Sequence, residues 1–289
     1  MAAPAVRDRW ERFDAIARSL DPSELQRESG EPHITGADVL ADLSGMRRAA
    51  RVLGYYSPQG IERAFESYGL LGRLRARGFR ELALTVDPAD ASRQVIRIHG
   101  TRGELRGALL MALVVRRQAL DLAGAGDGEV LSVEWLLLQD PTAPFSPERP
   151  RLPGQEHPGL GLAHDVQGLL VQAARRLGLE GLASRPSHYH FAVEAAPDFR
   201  FLDPRAEGRF RAMRRALAGF ELEAAAWIVA DGRLVTADGH PVLWEPSDQV
   251  LPLGARLRQQ VLGAGYDRLA AAERARWLDG GLRVAPRRR

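Results

Sequence analysis

Three groups of residues in this chain have types and spacings that could do chemistry. Gly159, Leu160 and Gly161 lead into Leu162, Ala163 and His164, where an amphipathic pattern begins. A helix starting there presents unpaired backbone N–H groups and the positive end of its dipole, and glycines let a phosphate approach that backbone closely. Glu134 is an acidic residue inside an otherwise apolar run. Burial there would raise its carboxyl into the range of a general base. His188, Tyr189 and His190 stand together, with Glu194 four residues further on. That set could bind a metal through imidazole and carboxylate. On a helix, His190 and Glu194 would instead be ordinary i,i+4 neighbours.

Composition removes other chemistries. The 289 residues include no cysteine, so disulfides, thiol nucleophiles and thiolate metal sites are all excluded. No lysine occurs either, and all 40 basic residues are arginine. Schiff-base chemistry, a pyridoxal-phosphate anchor and a Walker A lysine are therefore unavailable. Asparagine is also missing, a bias that a GC-rich genome would produce. The formal net charge is only +3. Arginine clusters such as 73–80 and 209–215 read as solvated helix faces, so a nucleic-acid partner is not expected. The longest apolar runs fall short of the roughly 20 residues that span a bilayer, and the first residues carry no apolar leader. A cytoplasmic protein without a membrane partner is the expectation.

The elements that would position these groups follow from periodicity and punctuation. Residues 1–35 read as a helical lead-in, with Asp21-Pro22 as a helix start. Apolar residues at i, i+3 and i+4 predict helices over 36–54 and 58–77. Alternation then predicts strands within 80–88, 93–100 and 107–117. The run 129–139, ending at Gln139, is apolar on both sides and reads as a strand buried on both faces. Prolines at 141, 144, 147, 150 and 153 follow. Proline at every third residue predicts a stiff polyproline II segment that delivers the glycine turn to a fixed place. A helix over 162–178, a short strand over 180–185 and a short helix over 188–196 come next. A basic helix from about 204 to 220, strands within 225–246 and a final helical stretch complete the chain.

In this order the elements resemble the GNAT superfamily of acyl-CoA-dependent N-acyltransferases. There, two helices precede an antiparallel meander, and a long strand leads to a Gly-x-Gly pyrophosphate loop, a helix, a strand and a shorter helix. The resemblance covers about 36–203. It implies a mixed α/β (α+β) fold with a largely antiparallel sheet flanked by helices, after a lead-in at 1–35 and before an extension at 204–289. It also implies acyl-CoA as cosubstrate and an amine, small molecule or peptide, as acceptor. Gln139 and residues 159–164 would hold the cofactor, and Glu134 would be the base. The family's glutamine or arginine before the glycines falls at Glu156. Its tyrosine acid falls at Ala196, which leaves Tyr189 or His190 to serve. Two alternatives stay open: a catalytically silent relative that binds a ligand or a protein, and a metal site at His188, His190 and Glu194. A homo-oligomer is possible, and in the silent relative the lead-in and residues 205–289 would form an oligomer or partner interface with Trp227, Trp244 and Trp277 as candidate anchors.

Overall fold

A computed structural model describes residues 4–27, 51–87, 93–122 and 126–286. The fold is mixed α/β: a seven-stranded, mostly antiparallel sheet with helices around it. The chain divides into two compact units. The first comprises residues 1–118, 131–143 and 159–178, and the second 119–130, 144–158 and 179–289.

In the first unit, α1 (Pro4–Ser19) and α2 (Pro22–Gln26) precede α3 (Pro58–Ser67) and α4 (Leu70–Ala76). The expected caps are present. Asp21 accepts from the Ser23 amide at 2.7 Å, Ser57 accepts from Gly60 at 2.9 Å, and proline opens the helix in each case. The helix expected over 58–77 is two helices, broken at Gly69. Most of the one expected over 36–54 lies outside the described residues. Strand β1 (Arg80–Asp87) pairs antiparallel with β2 (Gln94–Arg102), and β2 with β3 (Leu105–Leu122). Strand β4 (Gly126–Leu138) follows as the fourth strand of the meander. Helix α5 (Ala163–Arg176) buries Val166, Leu169, Leu170 and Ala173, the expected stripe. Phe13 of α1 is wholly buried, stacks on Tyr68 at 5.3 Å between ring centres, and lies against Gly168 of α5, where a Cβ would strike its ring.

Strand β4 is not buried on both faces as its composition predicts. Its burial alternates only in part, and Trp135 stands 56% exposed beside exposed Glu134. An apolar run states what a strand could bury, and only the elements packed on it decide what it does bury.

In the second unit, the amide of Glu180 donates to the carbonyl of Glu129, and β5 (Gly181–Ser184) begins there. Strand β8 (Gln249–Pro252) pairs antiparallel with β5 on one side and with β6 (Arg200–Phe201) on the other. Helix α6 (Tyr189–Ala195) lies between β5 and β6 in sequence. Helices α7 (Pro204–Ala216) and α8 (Leu222–Ala230) follow, and α9 (Ala255–Leu262) and α10 (Ala264–Asp279) come after β8. Two short strands, β7 (Leu234–Val235) and β9 (Arg283–Val284), make a separate antiparallel pair. Strands were expected across 225–246, but the first of them is helix α8. Ala224, Ala225 and Ala226 favour helix, and an apolar run this short carries no period that separates the two states. One core joins α6, α7 and α8 around Phe201, Phe210 and Ile228, and a second joins β5 and β8 to α9 and α10 around Val250, Leu257 and Tyr266.

The proline-rich segment is not a straight rod. Ser146 and Arg149 exchange backbone hydrogen bonds of 3.1 and 3.0 Å, and the Gln155 amide closes a second turn onto the Leu152 carbonyl. Each proline fixes its own φ, but the residues between them remain free to turn.

Helices α7 and α10 approach so closely that a Cβ on Gly208 would lie 2.5 Å from the Ala270 carbonyl and 2.9 Å from the Arg274 amide. Gly208→Ala should therefore destabilise the protein by about 1–3 kcal/mol in chemical denaturation, although alanine is the better helix former. No loss of stability would mean that the two helices are not in this contact.

Candidate anion-binding site

The start of α5 is open. Its N-cap residue, Leu162, is buried and hydrophobic, and no side chain caps the helix. Gly161, Ala163 and His164 are exposed, while Leu160 and Leu162 on either side are buried and pin the turn. Gly161 adopts φ +63°, a left-handed conformation that a glycine enters without strain. Gly159 forms an isolated antiparallel bridge with Gln139 at the end of β4. The glycine turn thus sits beside the strand end although 19 residues separate them in sequence. Gln139 itself is committed to the sheet: its backbone amide donates to Leu110 and its side-chain amide to Leu109, both at 3.0 Å.

Arginines surround this end of α5. The Arg77 Nη2 lies 3.9 Å from the point a Cβ on Gly161 would occupy. Among the described residues Arg77 has no carboxylate partner, and its Nη1 donates only to the Arg73 carbonyl, at 3.3 Å. Arg73 pairs with Asp165 in the first turn of α5 at 2.8 Å, and Arg12 approaches the same carboxylate at 3.9 Å. Arg102 donates one nitrogen to Asp140 at 2.8 Å and the other to the Arg77 carbonyl at 3.0 Å, with its guanidinium 4.6 Å from the centre of the Phe79 ring. Asp140 is nearly buried and also accepts from the amide and hydroxyl of Thr142. The arrangement offers helix-end amides, a left-handed glycine and a guanidinium without a counter-charge, which together suit a phosphate or another oxyanion. Arg73 and Arg77 belong to the cluster at 73–80 that reads as a solvated face in sequence. Only the fold brings α4 and Arg102 to the glycine turn.

Glu134 is occupied otherwise. Its two carboxylate oxygens receive Arg93 at 2.8 Å and Arg116 at 2.6 Å on an exposed stretch of β4. The burial on which its expected role as a base rests is not there.

Tyr189 and His190 belong to the second unit. Tyr189 is buried, with its ring centre 5.9 Å from that of Trp244 and 6.1 Å from that of Phe210, and burial pushes its hydroxyl up to about 12. His190 has no exposed surface, and neither ring nitrogen has a hydrogen-bond partner. Burial, reinforced by neighbouring His188, holds its pKa down at about 4, so the ring is neutral at pH 7. Glu194 is exposed, and no group of three or more His, Asp or Glu side chains among the described residues could hold a metal ion. The three-residue metal site expected at His188, His190 and Glu194 is therefore not formed.

Each tryptophan of the second unit donates its indole N–H within that unit. Trp227 donates its indole N–H to the Arg151 carbonyl at 2.9 Å, which ties the proline-rich segment to α8. Trp244 donates to the Pro186 carbonyl at 2.9 Å, and Trp277 to Glu273 at 2.9 Å.

No helix among the described residues is long and apolar enough to cross a membrane. Comparison with protein-family models, with curated proteins and with solved structures finds no match.

Two outcomes test this account of the charges and tethers. Asp140→Ala should cost about 2–3 kcal/mol, because it strands Arg102 and the Thr142 groups, whereas Glu134→Gln at its exposed pairs should cost under about 1 kcal/mol. Equal costs in urea denaturation would contradict the burial difference. Trp227→Phe removes the tether on Arg151, so limited trypsin digestion should cut after Arg151 faster than in the unaltered protein.

Proposed function

We propose that this chain binds the pyrophosphate of an acyl-CoA at the start of α5 and transfers the acyl group to an amine. The observation that carries this reading is the uncapped helix end at Leu162–His164 with Arg77, which has no carboxylate partner among the described residues, beside it. Backbone amides at such an end are fixed in place, so a bound phosphate costs little reorganisation, and the helix dipole favours its charge. Arg77 supplies the positive charge that Glu156 does not supply from within the loop. The order of elements gives further support: helices, an antiparallel meander, a long strand, the glycine turn, α5, β5 and the short helix α6 follow the GNAT order. The Gln139–Gly159 bridge makes the long connection equivalent to a short turn at that point.

In the reaction, the acceptor amine attacks the thioester carbonyl, the C–N bond forms, the C–S bond breaks, and the thiolate leaves with a proton. A small-molecule or peptide amine is the acceptor class. A second reading, ligand binding without catalysis, is favoured by the engagement of Glu134 with two arginines and by the place of Tyr189 in an aromatic core.

Thermal-shift titration with CoA and acetyl-CoA, followed by a thiol-release assay with amine acceptors, separates these readings. Stabilisation by both ligands is expected, with Kd raised about tenfold by Arg77→Ala, equivalent to about 1.4 kcal/mol. Gly161→Val should remove the response, because valine does not tolerate the left-handed backbone. Stabilisation without thiol release supports the silent binding protein. The absence of any stabilisation rejects the pyrophosphate site.

A further inference from the structure

A buried histidine of the second unit has unmet hydrogen-bonding groups. His190 is fully enclosed, and both its ring nitrogens lack a partner. A buried imidazole has one donor and one acceptor to satisfy, and leaving both unmade costs far more than a packed apolar ring of the same size would. His188 lies next to it, half-buried at the rim, with the two ring centres 5.6 Å apart and the planes 32° apart. Two imidazoles that share one cation, each at a metal–nitrogen distance of about 2.0 Å, have ring centres roughly 5–6 Å apart. Ser187 Oγ lies 2.9 Å from His188 Nδ1. A hydrogen bond at Nδ1 fixes the orientation of the ring and leaves Nε2 to ligate, as partners beyond the ligands commonly do for metal-binding histidines. Gly154, at φ +79° in the proline-rich segment, packs directly on His188, and a Cβ there would lie 2.8 Å from Cε1 and 3.1 Å from Nε2. Any side chain at position 154 would therefore push the ring from its place.

We propose that His188 and His190 form a two-histidine site for a first-row divalent transition metal, Zn²⁺ or Cu²⁺, with its remaining positions filled by solvent or a small ligand. Imidazole is a good ligand for these ions, whereas Mg²⁺ and Ca²⁺ require sets of oxygen ligands. His190 closes the inner side of the site, and His188 faces the route of entry. Glu194 is not a ligand, since among the described residues no third carboxylate or imidazole joins the pair. Phe191, its ring centre 4.1 Å from that of His190 and 5.9 Å from that of His188, forms an apolar wall. All of these residues, Gly154 included, belong to the second unit.

The test is calorimetric titration of the full chain at pH 7.5 with Zn²⁺, with Cu²⁺ read by electron paramagnetic resonance, and with Mg²⁺ as control. One equivalent of Zn²⁺ or Cu²⁺ should bind, with nitrogen hyperfine structure in the Cu²⁺ spectrum and no response to Mg²⁺. His190→Phe keeps the ring volume, removes both nitrogens and should abolish that equivalent. Gly154→Ala places a methyl group against His188 and should weaken binding at least tenfold with both histidines intact. Ser187→Ala should weaken it by a smaller factor. The two milder variants keep the test decisive if His190→Phe fails to fold. The proposal is overturned if no equivalent binds, or if the equivalent survives in His190→Phe or is unchanged in Gly154→Ala, since the metal would then sit on the other histidines of the chain.

Discussion

A nearly buried carboxylate, Asp140, organises the end of β4. It accepts from Arg102 and from both donors of Thr142, and Arg102 in turn donates to the carbonyl of Arg77 where α4 ends. One acid thus ties the last residue of β2, the C-terminal end of α4 and the exit of β4 to one another. The position of Arg77 beside Gly161 depends on that linkage, because its backbone is held by Arg102 while its own guanidinium has no carboxylate partner among the described residues. A buried carboxylate of this kind is tolerable only because all its partners are present.

The anion-binding reading rests on a contrast between the two acids at α5 and β4. Asp165 sits within the first turn of α5, where its charge complements the dipole, and Arg73 pairs with it from outside the helix. Glu134 is shared by Arg93 and Arg116 on an exposed strand. Both acids are therefore compensated, whereas Arg77 has no carboxylate partner among the described residues. In a chain with no lysine, every such contact uses a planar guanidinium. Its several fixed donors let one residue bind a carboxylate and a carbonyl at once, as Arg102 does.

Much of this was legible in the sequence, and the limits are specific. Asp21-Pro22 and Ser57-Pro58 announce helix starts because a capping oxygen and a preset φ act locally. The α5 stripe is legible because a 3.6-residue period survives any tertiary context. The glycine turn is legible because glycine marks backbone that other residues avoid. The burial of β4, the helical state of residues 222–230 and the folded course of the proline-rich segment were not legible. Each depends on what packs against the segment rather than on the segment itself. Arg77 shows the same limit at the candidate site. Nothing in 73–80 separates it from its solvated neighbours until β2 and α5 come beside it. The orphaned nitrogens of His190 also appear only in three dimensions, since sequence spacing gave a three-residue set and the fold delivers two.

The route of the backbone between the two units has a further consequence. It passes from one to the other between residues 118 and 119, 130 and 131, 143 and 144, 158 and 159, and 178 and 179. Neither unit is a continuous stretch of polypeptide, so no truncation at one point isolates either of them. During synthesis, α5 cannot complete the first unit until residues 119–130 and the proline-rich excursion, which belong to the second, have already emerged. The first body is therefore finished only after part of the second has been made.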